Sequence, residues 1–152
     1  MAGVATWAAC SINKAGTGYT LTATDNTEAF TVATSNAITI NAGTATQLVF
    51  TTEPSATATG GTPFAQQPVV TVEDASGNTV TSSGASVTLA INTGTGTLTC
   101  TTNPVAASSG VATFSGCSLT LAGSYTLKAT ATGLTTAIST AIIVSVLSLI
   151  HI

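Results

Sequence analysis

The chain has 152 residues, 5% of them charged, with two Lys, no Arg, five acids and a net charge of −3. That balance excludes the cationic surface needed for counterion release from nucleic acid, and equally a polybasic membrane patch. Hydrophobic residues make up 44% of the chain, yet most are Ala and Val spaced among Thr, Ser and Gly, and no run approaches the ~20 apolar residues that would cross a bilayer.

With few charges, solubility falls to hydroxyls. Thr and Ser alternating with Val, Leu and Ile place methyl-bearing polar groups on the solvent face of strands, a surface suited to an extracellular protein. The opening MAGVATWAAC has no basic residue before Lys14 and is not a Sec-type signal peptide. It belongs to a segment, GVATWAACSINKAGTGYTLTAT from Gly3 to Thr24, that returns as GVATFSGCSLTLAGSYTLKAT from Gly110 to Thr130. A period near 100 residues is too long for a solenoid and suits one immunoglobulin-sized sandwich per repeat. Residues 1–45 are therefore expected to be the C-terminal part of a truncated repeat plus linker. They would supply only its last three strands and leave one apolar face without a covering sheet.

Residues 46–146 are expected to be one complete repeat. QLVFTTE at 47–53 and PVVTVED at 68–74 read as strands separated by a loop containing Pro54, Gly60, Gly61 and Pro63. SerGlyAsn at 76–78 marks a turn. ASVTLAIN at 85–92 alternates, with Val87, Leu89 and Ile91 on one face. TLTCT and the later VATFSGCSL read as the two arms of a hairpin. In GSYTLKATAT, Tyr125, Leu127 and Ala129 point inward, and LAGSY has the form of a tyrosine corner that Tyr19 repeats. A last strand runs from Ala137 to Val146, which makes seven strands, none with helical periodicity. LSLIHI at 147–152 breaks the repeat and reads as a translated sequencing-adapter end, a non-native tail.

These features identify the fold class as all-β, an immunoglobulin-like β-sandwich, with one complete domain plus the C-terminal half of a preceding one. The segment QLVFTTEPSATATGGTPFAQQPVVTVEDASGNTVTSSGASVTLAI resembles the tandem immunoglobulin-like repeats of large bacterial surface and secreted proteins, a group similar to the invasin and intimin repeats. The resemblance covers nearly all of residues 3–146. It implies an extracellular stalk or adhesive module with no catalytic residues.

Cys100 and Cys117 lie on the two arms of the proposed hairpin, where a disulfide would close a loop of about 16 residues; the alternative is two buried thiols. The exported character implied by the resemblance favours the disulfide, with Cα atoms expected about 4.4–6.8 Å apart. Cys10 is the counterpart of Cys117 and is expected to have no cysteine near it. A nucleophilic role for Cys10 lacks an accompanying His or Asn, and the single His, His151, sits in the tail, so no Ser-His-Asp arrangement falls within the repeat. The acids are Asp25, Glu28, Glu53, Glu73 and Asp74. Asp74 is read as capping the SerGlyAsn turn, with Glu53, Glu73 and Asp74 as weak calcium candidates. No cofactor is expected.

The leading functional expectation is a non-catalytic structural stalk repeat of an exported bacterial surface protein, located outside the cell or on its surface. Its partners would be neighbouring repeats of the same chain. The alternatives are an adhesin module that binds glycan or protein through loops at one end of the sandwich, and an accessory domain of a secreted polysaccharide-degrading enzyme.

Overall fold

A computed structural model describes residues 3–26 and 30–146. Glu28 and the LSLIHI tail lie outside the described residues. The chain divides into two compact units, Met1–Ala42 and Gly43–Ile152. Among the described residues all regular structure is β-strand.

The first unit holds four short strands, β1 (Gly16–Tyr19), β2 (Thr22–Ala23), β3 (Ala33–Thr34) and β4 (Ile38–Ile40). They form one antiparallel hairpin in two steps, with Thr22 opposite Thr34 and Ala23 opposite Ala33, then Tyr19 opposite Ile38 and Gly16 opposite Ile40. Ser35 joins the steps. Its Oγ accepts from the Leu21 N–H at 2.9 Å, its own N–H donates to the Leu21 carbonyl at 2.8 Å, and its Oγ donates to the Asn36 carbonyl at 2.8 Å.

The second unit is a β-sandwich built from β5 (Ala45–Thr52), β6 (Thr57–Thr59), β7 (Val69–Asp74), β8 (Ser86–Thr93), β9 (Leu98–Thr99), β10 (Val105–Ala106), β11 (Val111–Thr113), β12 (Ser118–Leu119), β13 (Gly123–Thr130), β14 (Ala137–Ile138) and β15 (Ile142–Ser145). One sheet has the order β11-β7-β5. The other runs β10-β8-β13-β15-β6, with β14 also on β13, and β9 pairs separately with β12. Alternation decides which side chains go inward: along β13, Tyr125, Leu127 and Ala129 are buried while the residues between them are half-buried, and along β8 Val87 and Leu89 are buried between exposed neighbours. Leu48, Val70 and Val72 supply the core from the β11-β7-β5 sheet, Ile142 and Val144 from β15, and Phe64, Phe114 and Leu119 from the connections and β12.

The observed strands differ from the expected ones in three places. Seven runs are expected and eleven segments are observed: β6 and β10 fall where no strand is expected, and Ser139 interrupts the last run to bind Leu127 and so separates β14 from β15. β6 has too little apolar content to show as a strand by pattern; it is held by parallel pairing with β15, Thr57 opposite Ile143 and Thr59 opposite Ser145. VATFSGCSL is not one hairpin arm: Val111–Thr113 pairs with β7, and after Phe114 only Ser118–Leu119 pairs with β9.

Candidate functional site

Cys100 and Cys117 form a disulfide. The β9–β12 register explains it: Thr99 lies opposite Ser118 and Leu98 opposite Leu119, so the next opposed pair is Cys100 and Cys117. Their Cα atoms are 3.9 Å apart, below the expected range; the directly opposed register, which by itself brings Cα atoms to about 4.5 Å, accounts for a separation at the short end of that range and not for the remaining few tenths of an ångström. Gln67 holds Cys117 from the other side. Its Oε1 accepts from the Cys117 N–H at 2.8 Å and its Nε2 donates to the Cys117 carbonyl at 3.3 Å. Asn103 treats β8 in the same way, accepting from the Leu89 N–H at 2.9 Å and donating to the Leu89 carbonyl at 2.8 Å. Neither amide has a sequence signature, since side-chain mimicry of a strand partner leaves no mark on periodicity.

Tyr125 is 1% exposed. Its hydroxyl donates to the Leu121 carbonyl four residues upstream at 2.8 Å and also reaches the carbonyl of Thr95, the geometry of a tyrosine corner. Gly94 makes room for the ring, with φ of +103° and space in which a Cβ would sit 2.8 Å from Tyr125 Cε1.

The Asp74 carboxylate caps its turn with four donors. Oδ1 accepts from the N–H groups of Ser76 at 2.8 Å and Asn78 at 2.9 Å; Oδ2 accepts from the Gly43 N–H at 2.7 Å and from Asn78 Nδ2 at 3.0 Å. The Asn78 side-chain amide, then the Asn78 and Gly43 N–H groups, hold the carboxyl well below the usual carboxylate range, outweighing the opposing effect of burial. Glu73 precedes it on β7 and so projects to the opposite side of the strand. Glu53 Oε2 accepts from the Thr140 N–H at 2.9 Å and from its hydroxyl at 3.2 Å. Asp74 and Glu53 are thus engaged with different partners, and among the described residues no three His, Cys, Asp or Glu side chains converge to hold a metal ion. Also among the described residues, no helix is long and apolar enough to cross a membrane.

In the first unit, residues equivalent to core positions of the second lie open. Trp7 is 70% exposed where its counterpart Phe114 is 1% exposed, and Leu21 is 51% exposed where Leu127 is fully buried. The Cys10 thiol is free and exposed where Cys117 is bonded. Trp7, Cys10, Leu21, Ala23, Ala33 and Ser35 line a groove of about 430 Å³. The three bonds that Ser35 makes in the hairpin beneath it are repeated in the second unit by Ser139. Leu127 N–H donates to Ser139 Oγ at 2.8 Å, Ser139 N–H donates to the Leu127 carbonyl at 2.8 Å, and Ser139 Oγ donates to the Thr140 carbonyl at 2.9 Å. Tyr125 opposite Ile142 and Ala129 opposite Ala137 reproduce Tyr19 opposite Ile38 and Ala23 opposite Ala33. No protein-family model and no curated protein matches this sequence.

Proposed function

We propose that the chain belongs to a non-catalytic stalk of an exported bacterial surface protein, built of immunoglobulin-like repeats that carry tension along the polypeptide. The observation that carries this reading is the parallel pairing of β6, near the start of the second unit, with β15 at its end. Strands that enter from opposite ends of a unit and run parallel are loaded in shear when those ends are pulled, so their hydrogen bonds resist together instead of opening one at a time. The Ile143 N–H donates to the Ala56 carbonyl and the Gly60 N–H to the Ser145 carbonyl, both at 2.9 Å, and Glu53 adds its bonds to Thr140. The same two ends are joined at several points. The Cys100–Cys117 bond supports an oxidising, extracellular setting, and the matched hairpins of the two units support a repeated module.

Pulling the full chain by its ends in a single-molecule force experiment tests this. The second unit should unfold in one cooperative event at a force lowered by Ile143→Pro, which removes the N–H donated to Ala56. Reducing the disulfide should lengthen the released contour by roughly 60 Å, the span of the 17-residue loop. Unfolding at a force indifferent to Ile143→Pro would overturn the stalk reading. Saturable glycan binding by the full chain would replace it with the adhesive one.

A further inference from the structure

We infer that the open apolar face of the first unit is a docking surface for an extended segment of this chain's own repeat type, patterned like residues 84–104, and that Cys10 closes a disulfide with that segment's cysteine. The second unit shows what such a face takes. There β13 carries β8 along one edge, with Leu127 opposite Ile91 and Ala129 opposite Leu89. The equivalent β2 has β3 as its one strand partner among the described residues, which leaves its other edge to accept a strand by β-augmentation. A few residues beyond β8 the same segment reaches Cys100, bonded to the counterpart of Cys10. One continuous segment therefore supplies both the strand alongside Leu127 and the sulfur that meets Cys117. Its charge suits the groove as well: residues 84–104 contain no charged side chain and neither does the groove lining, so docking buries no unpaired charge.

The covalent step is balanced by a disulfide oxidant such as glutathione disulfide. The two thiols lose two protons and two electrons to form one S–S bond, and the oxidant leaves as two glutathione thiols. The inference rests on the equivalence of the two hairpins and not on the stalk reading, and peptide capture is read out without force, so either can fail alone.

The test mixes the full chain, its Cys100–Cys117 bond intact, with a synthetic peptide of residues 84–104 in a glutathione redox buffer. A scrambled peptide that keeps its cysteine is the control. Trp7 is the only tryptophan, so its emission reports cover of the groove. The expected result is an adduct mapped to Cys10 with a yield on the order of tenfold above the scrambled peptide, because docking raises the local thiol concentration. Trp7 emission should shift to shorter wavelength in that adduct, and Leu21→Asp should abolish the preference. Equal yields for the two peptides, or an adduct that leaves Trp7 emission unchanged, would show only an exposed thiol and overturn the proposal. A Cys10–Cys10 dimer outpacing the adduct would also overturn it, by making a second copy of the chain the occupant.

Discussion

The side chain of Asn78 and its backbone N–H both donate to the Asp74 carboxylate, at 3.0 and 2.9 Å, so the turn that ends β7 closes on itself around one anion. The same carboxylate reaches Gly43 at 2.7 Å and so also fastens the segment that leads into β5. Because these donors depress the Asp74 pKa in the folded state, the stabilisation is fully present above the ordinary carboxylate range and is lost as pH falls through the depressed folded value. The thermal midpoint of the second unit should therefore be steady from neutral pH down to about pH 5 and decline below about pH 4. Asp74→Asn should lower the midpoint at pH 7 and remove much of the acid decline. An unchanged acid slope in that variant would show that other groups set it.

Reduction of the Cys100–Cys117 bond frees a 17-residue separation and restores loop entropy to the unfolded ensemble. On the chain-entropy account this costs about 3 kcal/mol, which for a unit of this size is a fall in Tm of roughly 10–20 °C. Calorimetry of the oxidised chain against Cys100→Ser/Cys117→Ser measures it. A change within a degree or two would mean that the β9–β12 pairing and Gln67 already restrict these residues.

Much of the second unit could be read from its residues, and the reason for the remainder is visible in the duplicated segment. Alternation located β8 and β13, because both lie in a sheet with one face toward the core, and the Asp74 turn and the Tyr125 corner follow from short-range chemistry. Pairing partners were harder. Gly110–Thr113 and Gly3–Thr6 have the same sequence, GVAT, yet Val111–Thr113 is a strand and the earlier copy is not. What differs is β7, which supplies hydrogen bonds to Val111–Thr113; the local pattern is identical. Periodicity tells which face a side chain takes but not which strand lies alongside, and for this reason β6 and the crossing at Phe114 have no signature in the sequence.

Tyr125→Phe removes the donor to Leu121 and leaves two carbonyls with one partner fewer, at a cost of about 1 kcal/mol. Gly94→Ala should be worse although it adds a single methyl group. The backbone there has φ of +103°, and the new Cβ would lie 2.8 Å from Tyr125 Cε1 and 2.9 Å from the Ser124 carbonyl. Left-handed strain and overpacking together should cost roughly 2–4 kcal/mol. Chemical denaturation of both variants compares them, and a Gly94→Ala chain as stable as Tyr125→Phe would show that the ring moves aside at little cost.

One position of the duplicated segment, occupied by Trp7 and by Phe114, separates the effect of residue type from that of environment. Phe114 is 1% exposed in the core of the second unit, whereas Trp7 stands at the same place in the first unit and is 70% exposed. Phe114→Ala should cost about 3–5 kcal/mol, the transfer free energy of the ring plus the cavity it leaves. That is a large part of the ~5–15 kcal/mol available to a domain. Trp7→Ala removes a larger ring that has little burial to lose, and the expected change is within about 0.5 kcal/mol. It should also lower binding of a hydrophobic dye to the full chain, because Trp7 belongs to the open groove. Denaturant titrations followed by circular dichroism, with dye fluorescence alongside, check both halves. If Trp7→Ala destabilised the chain as much as Phe114→Ala, the face around Trp7 would already be covered in solution, and the equivalence with an uncovered core would have to be abandoned.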